Sequence, residues 1–129
     1  MTRDELRLRR LSLGRTQRQL ADLLGISLRA VHSFEQGWRK IPVHVERQTL
    51  FLAMLARRTS KPATACWKVK RCPVHVRKQC PAWEFKAGDL CWCINGTLCQ
   101  GTPRKTWDTK MDTCRRCEVF LDAVGPAVP

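Results

Sequence analysis

No cysteine occurs before Cys66, no apolar run in the 129-residue chain is long enough for a membrane span, and acidic side chains are few. Each shortage excludes something. Arginines interrupt the opening MTRDELRLRRLSLG wherever an apolar core could form, so neither a secretory leader nor a membrane segment is readable and the expected compartment is the cytoplasm. A reducing cytoplasm disfavours structural disulfides, so eight cysteines confined to one half point to metal ligation or redox sensing. Paired carboxylates at a workable spacing, a glycine-rich phosphate loop and a nucleophile with its base are all missing, so no enzymatic activity is expected. The shortage of acids leaves 24 Lys+Arg against 11 Asp+Glu, a net charge of +13. Both halves share it, with 12 basic and 5 acidic residues in 1–60 and 12 and 6 in 61–129. A charge of that size calls for a polyanion, nucleic acid before anionic membrane.

What is present is a folding composition, 43% apolar and 27% charged. The stretch MLARRTSKPATA, polar with one proline, precedes the first cysteine and reads as a boundary. The expected organisation is a helical domain over 1–58, a linker at 59–65, a cysteine-rich domain over 66–121 and a flexible tail at 122–129. The fold class is mainly α: a small bundle of four to five helices, then a small irregular unit stabilised by a metal or cluster.

In TQRQLADLLGISLRAVHSFEQG, Thr16 is a good N-cap, and Leu20, Ala21, Leu23 and Leu24 mark a short helix that stops at Gly25. Ser27 can cap a second helix, with Val31 and Phe34 on one side and Leu28, Arg29, His32 and Ser33 on the other. Helices near 3–13 and 43–57 would cover the apolar faces. Trp38 reads as packing on the loop that follows.

Leu6 to Leu11, Thr16-Gln17, Leu20-Ala21, Gly25-Ile26-Ser27, Val31, Phe34-Glu35, Gly37 and Pro42 together resemble the Cro/C1-type (XRE-like) helix-turn-helix family over residues 5–56. The resemblance implies binding to a double-stranded DNA operator, with the helix Ser27–Gln36 in the major groove. On that placement Leu28, Arg29, His32 and Ser33 face the bases, where Arg29 can read guanine and Leu28 a thymine methyl. Gln17 matches a phosphate-contacting position, and Arg39 and Lys40 serve the same purpose. Arg10 and Glu35 match positions that form a structural ion pair. A homodimer is the default, because operators read by this family are commonly two-fold.

The gaps between successive cysteines from Cys66 to Cys117 are 5, 7, 10, 1, 5, 14 and 2 residues, and only Cys114 and Cys117 make a C-x-x-C pair, so two zinc fingers fit poorly. Cys72 and Cys80 precede prolines, as in iron–sulfur runs, and nearby tryptophans would shield a cluster. The segment has few long aliphatic runs, and units of about 55 residues commonly need a metal or disulfides. In CWCINGTLC, Asn95-Gly96 suits a turn that bends Cys91 or Cys93 back towards Cys99. On loop geometry the favoured four ligands are Cys91, Cys99, Cys114 and Cys117.

Cys66-Trp67, Cys72, Cys80-Pro81-Ala82, Cys91-Trp92, Gly96-Thr97, Cys99, Lys110 and Cys114-x-x-Cys117 followed by Phe120 are similar to a "two-CW" module, which is attached to bacterial regulators and signalling proteins. In that pattern Cys66, Cys72, Cys80, Cys91, Cys99, Cys114 and Cys117 recur and Cys93 is extra. The expected cofactor held by these seven is an iron–sulfur cluster, for instance of the 4Fe–4S type, with zinc as the alternative and a thiol–disulfide switch as a third reading. The chain therefore reads as a DNA-binding transcriptional regulator whose cysteine-rich half senses redox state, oxygen or metal; the alternative makes that half a structural zinc module for dimerisation or protein docking.

Overall fold

The computed structural model describes residues 1–99, 103 and 105–127, and among these the regular structure is helical, with no strand. The chain divides into two compact units, one built on Met1–Ala56 and the other on Arg57–Gly125. No described helix is long and apolar enough to cross a membrane.

The first unit holds α1 (Arg3–Ser12), α2 (Gln17–Leu24), α3 (Leu28–Gln36) and most of α4 (Val43–Arg58). Local chemistry sets their ends. Thr16 accepts from the Gln19 N–H while the Gln19 carboxamide accepts from the Thr16 N–H, a reciprocal cap at the start of α2. Gly25 closes α2 with φ of 66°, a left-handed conformation in which a side chain would be strained. Ser27 then caps α3 by accepting from the Ala30 N–H. Helices of eight or nine residues are marginal alone, so burial holds them. Leu6, Leu20, Leu24, Val31, Phe34, Ile41 and Val45 form one core, and each such side chain contributes about 1.5–3 kcal/mol when fully buried.

A polar knot ties α1, α2 and α3. Arg10 grips the nearly buried Glu35 with two nitrogens, Nε to Oε1 at 2.6 Å and Nη2 to Oε2 at 3.1 Å. Gln17 donates to Glu35 Oε2 at 2.7 Å, and Arg10 also donates to the Arg15 carbonyl at 3.0 Å. The expected Arg10–Glu35 pair is thus present, with Gln17 as a third member.

The second unit contains α5 (Cys66–Val69), α6 (Val74–Arg77), α7 (Pro81–Glu84), a 3-10 turn at Cys91–Cys93, α8 (Trp107–Cys114) and α9 (Glu118–Val124). Arg71 (φ 50°) and Lys86 (φ 51°) end α5 and α7 in the left-handed region usually given to glycine. In each case the next residue's N–H reaches back to close the turn, Cys72 to the Trp67 carbonyl and Ala87 to the Ala82 carbonyl. Sulfur fills much of the interior: Cys80 and Cys91 are buried with Ala82 and Val119, and Cys66, Val69, Leu98 and Cys117 pack against them. Trp92 is wholly buried, edge-on to Phe120 at 5.7 Å. The expected tail at 122–129 is corrected at its start. Asp122–Val124 belong to α9, where Ala123 and Val124 join Val119 and Phe120 on the buried face.

Gly88 fixes where the segment containing Cys66 can lie. Its carbonyl accepts the Cys66 N–H at 2.9 Å, and a Cβ there would come within 2.7 Å of the Ala65 Cβ and 2.8 Å of the Ala65 Cα.

Glu35→Ala strands a largely buried guanidinium, and urea unfolding followed by circular dichroism is expected to show a loss of about 3–5 kcal/mol. The double replacement Arg10→Met with Glu35→Leu is expected to recover much of that loss. Gly88→Ala forces backbone to move and is expected to cost the second unit about 1–3 kcal/mol, read as a lower calorimetric melting temperature.

Candidate functional site

Two clusters of side chains stand out, one in each unit. The first is the outer face of α3 and the turn after it. Leu28, Arg29 and His32 are exposed, Gly37 ends the helix, and Trp38, Arg39 and Lys40 follow in the open. Ser33 is a correction: it is only 9% exposed, because it lies three residues after buried Ala30 and directly before buried Phe34, inside the core-facing arc.

Trp38 is also corrected. It does not pack into the loop but is 70% exposed, with its ring edge-on to His32 at 5.4 Å. This places a large aromatic surface beside the outward histidine. Arg39 lies over the Phe34 ring at 5.2 Å, which holds its base while leaving the side chain at the surface. Gln17 is half-buried and commits one of its two amide protons to Glu35. Arg3 donates to the Gln36 carbonyl at 3.2 Å, adding a cation at the C-terminal end of α3. The sequence signal for Trp38 was its place just past a glycine helix stop, where nothing in the local pattern requires burial.

The second cluster is a cavity of about 450 Å³ within the second unit. Its walls include Cys66, Cys72, Cys80, Cys99 and Cys117 together with Trp67, Trp83 and Leu98, and Lys70 and Arg77 also line it. Short helices deliver the sulfurs: Cys66 opens α5, Cys80 precedes α7 and Cys117 precedes α9. Trp67 and Trp83 meet edge-on at 4.9 Å, while Arg77 and Lys86 lie over Trp83 at 4.7 and 3.6 Å. The Cys80 sulfur accepts the Leu98 N–H at 3.4 Å.

Of the four ligands favoured by loop geometry, Cys99 and Cys117 line the cavity, whereas Cys91 and Cys114 are buried and are not among its lining residues. Cys91 lies behind Cys66 and donates its S–H to it. That bond holds the Cys66 thiol below its ordinary pKa and pushes Cys91 far above, the latter reinforced by burial. Burial raises Cys99, against the pull of the Lys110 charge, and burial also raises Cys72. Lys70 is held above its usual range first by Cys117 and then by Glu118, which it pairs at 3.4 Å.

The donor set suits a soft metal or an iron–sulfur group: thiols, with cations close by and aromatic walls that limit water. Among the described residues no three Cys, His, Asp or Glu side chains converge on one point at single-ion distance; the five thiols surround a volume instead. Three features of this site were not legible beforehand: Arg77 at the cavity, the pairing of Trp67 with Trp83, and the burial of Lys110.

Comparison with known proteins bears on the first cluster. No curated protein and no solved structure matches the chain. Residues 6–43, which take in α2, α3 and most of α1, match the family model described as helix-turn-helix, so the first unit carries the architecture of DNA-binding regulators.

Proposed function

We propose that this chain is a sequence-specific transcriptional regulator that reads a double-stranded operator through α3. Its cysteine-rich unit holds an iron–sulfur cluster or a metal and makes DNA affinity depend on redox state, oxygen or metal. The observation that carries the first part is the helix-turn-helix match combined with an outward face of Leu28, Arg29 and His32 on a chain of net charge +13. Arg29 is suited to a guanine edge in bidentate fashion and Leu28 to a thymine methyl. Arg39, Lys40, the amide of Gln17 and the exposed ring of Trp38 flank that face and would meet the phosphodiester backbone. A homodimer would set two such helices about one turn of DNA apart.

The second part is supported by five thiols around one cavity and by the resemblance of residues 66–120 to the two-CW module. Cys66, Cys72, Cys80, Cys99 and Cys117 are the ligands the cavity offers, with Cys91 and Cys114 behind them. A bound cluster supplies a charge that changes with oxidation state and a set of bonds joining segments far apart in the chain. Donors arranged around a volume suit a polynuclear cluster better than one ion with sulfur at about 2.3 Å. Zinc remains the second reading, favoured by the small aliphatic content of the unit; it would make the unit structural, for dimerisation or docking.

Once the operator is obtained by selection from random duplexes, Arg29→Ala is expected to lose about 1–3 kcal/mol of binding and to relax preference at one base pair. Lys40→Ala is expected to weaken specific and random DNA alike and to lower the salt slope by about 1. Equal binding by wild type and Arg29→Ala would remove α3 from the interface.

Anaerobically purified protein is expected to be brown, to contain iron and acid-labile sulfide, and to bleach in air with a change in operator affinity. Colourless protein with firmly held zinc would select the structural reading. Cluster-loaded, metal-free and oxidised forms that bind the operator equally would dismiss sensing.

A further inference from the structure

Helix α8 turns Asp108, Thr109 and Asp112 to solvent and buries Trp107, Lys110, Met111 and Cys114. A lysine in the middle of a buried face is rare unless something offsets its charge. Lys110 is 2% exposed, and its Nζ donates to the Thr97 hydroxyl at 2.6 Å; Thr97 is itself 2% exposed. Among the described residues no carboxylate lies within ion-pair distance of it, and Thr97 is its hydrogen-bond partner. One neutral hydroxyl does not compensate an ammonium taken out of water.

The ionisable groups on the neighbouring segments are thiols, which carry negative charge once they ligate a metal. Thr97, which holds the Lys110 Nζ, is followed directly by Leu98 and Cys99, both of which line the cavity, and α8 packs on the turn Cys91–Cys93. The ammonium is thus bonded to the segment that forms one wall of the thiol cavity, and it lies away from bulk water. An ammonium has no lone pair and cannot ligate a metal; its contribution is charge.

We propose that Lys110 is the buried counter-charge of an anionic thiolate centre, offsetting the negative charge that the cavity cysteines carry when they hold a soft metal or an iron–sulfur group. The inference rests on the metal-binding reading above and makes Lys110 a positioning residue for it. Two effects of opposite sign follow. With thiolates loaded, a neutral side chain at this position weakens the site. With the thiols protonated and no metal bound, the same replacement relieves an uncompensated charge. A lysine that merely packed would lower stability in both forms and leave affinity alone.

The test uses the full chain as wild type, Lys110→Met and Lys110→Gln, made metal-free without oxygen. Each is titrated with zinc against a chromophoric chelator and, separately, reconstituted with ferrous iron and sulfide for a midpoint potential. For whichever probe the wild type takes up, both variants are expected to lose affinity by about tenfold or more, the scale of one charge pair in a poorly solvated site. A reconstituted cluster is expected to shift to a more negative potential, because reduction adds charge that nothing offsets. Metal-free Lys110→Met is expected to melt at or above wild type. Lys110→Gln can keep a hydrogen bond to Thr97 and loses the charge, so it carries the test if the Met variant does not fold. Affinity and potential equal to wild type in the variants overturn the inference and leave the metal reading standing. Wild type that takes up neither zinc nor a cluster overturns both.

Discussion

Everything the first unit presents to a partner depends on one carboxylate. Glu35 sits at the last turn of α3 and receives Arg10 from α1 and Gln17 from α2, so one charged group fixes three short helices against each other. The apolar core alone would leave room for α3 to roll or slide, since Val31, Phe34 and Ala30 meet neighbours without directional bonds. A bidentate guanidinium–carboxylate contact has a preferred plane and distance, so it removes that freedom. The outward arc of α3, including Arg29, inherits its orientation from this inward contact.

The second unit solves a different problem. Its helices are four to eight residues long, too short to persist by themselves, and its interior is built from thiols and indoles as much as from aliphatic side chains. Two turns close with Arg71 and Lys86 in left-handed conformations, which cost roughly 1–2 kcal/mol each for residues with a Cβ. The same unit surrounds a cavity with five of its thiols. Thiols gathered around that volume are suited to supply bonds in place of packing.

The sequence was informative wherever structure is decided within a few residues. Thr16 with Gln19, Gly25 and Ser27 mark the ends of α2 and the start of α3 because caps are local. Ser33 departs from the expected outward face because its register between Ala30 and Phe34 places it inside. The end of α9 has a legible signal of the same kind, since Val119, Phe120, Ala123 and Val124 carry a helical spacing that runs past residue 121. The cavity was not legible, because its walls come from positions as far apart as Cys66 and Cys117 and four-residue helices have no usable periodicity. Lys110 was hidden by its type, since a lysine is ordinarily assigned to solvent.

The position of Trp38 also determines what light can report about this protein. It is the one tryptophan in the first 60 residues, and the other four lie at 67, 83, 92 and 107. Because Trp38 is already exposed in the folded chain, unfolding the first unit changes its surroundings little, whereas Trp92 and Trp107 pass from a dry interior to water. Indole emission therefore follows the melting of the cysteine-rich unit and is nearly blind to that of the helical one. The residual signal that Trp38 contributes answers instead to whatever approaches the end of α3, so one chromophore type separates occupancy of one unit from integrity of the other.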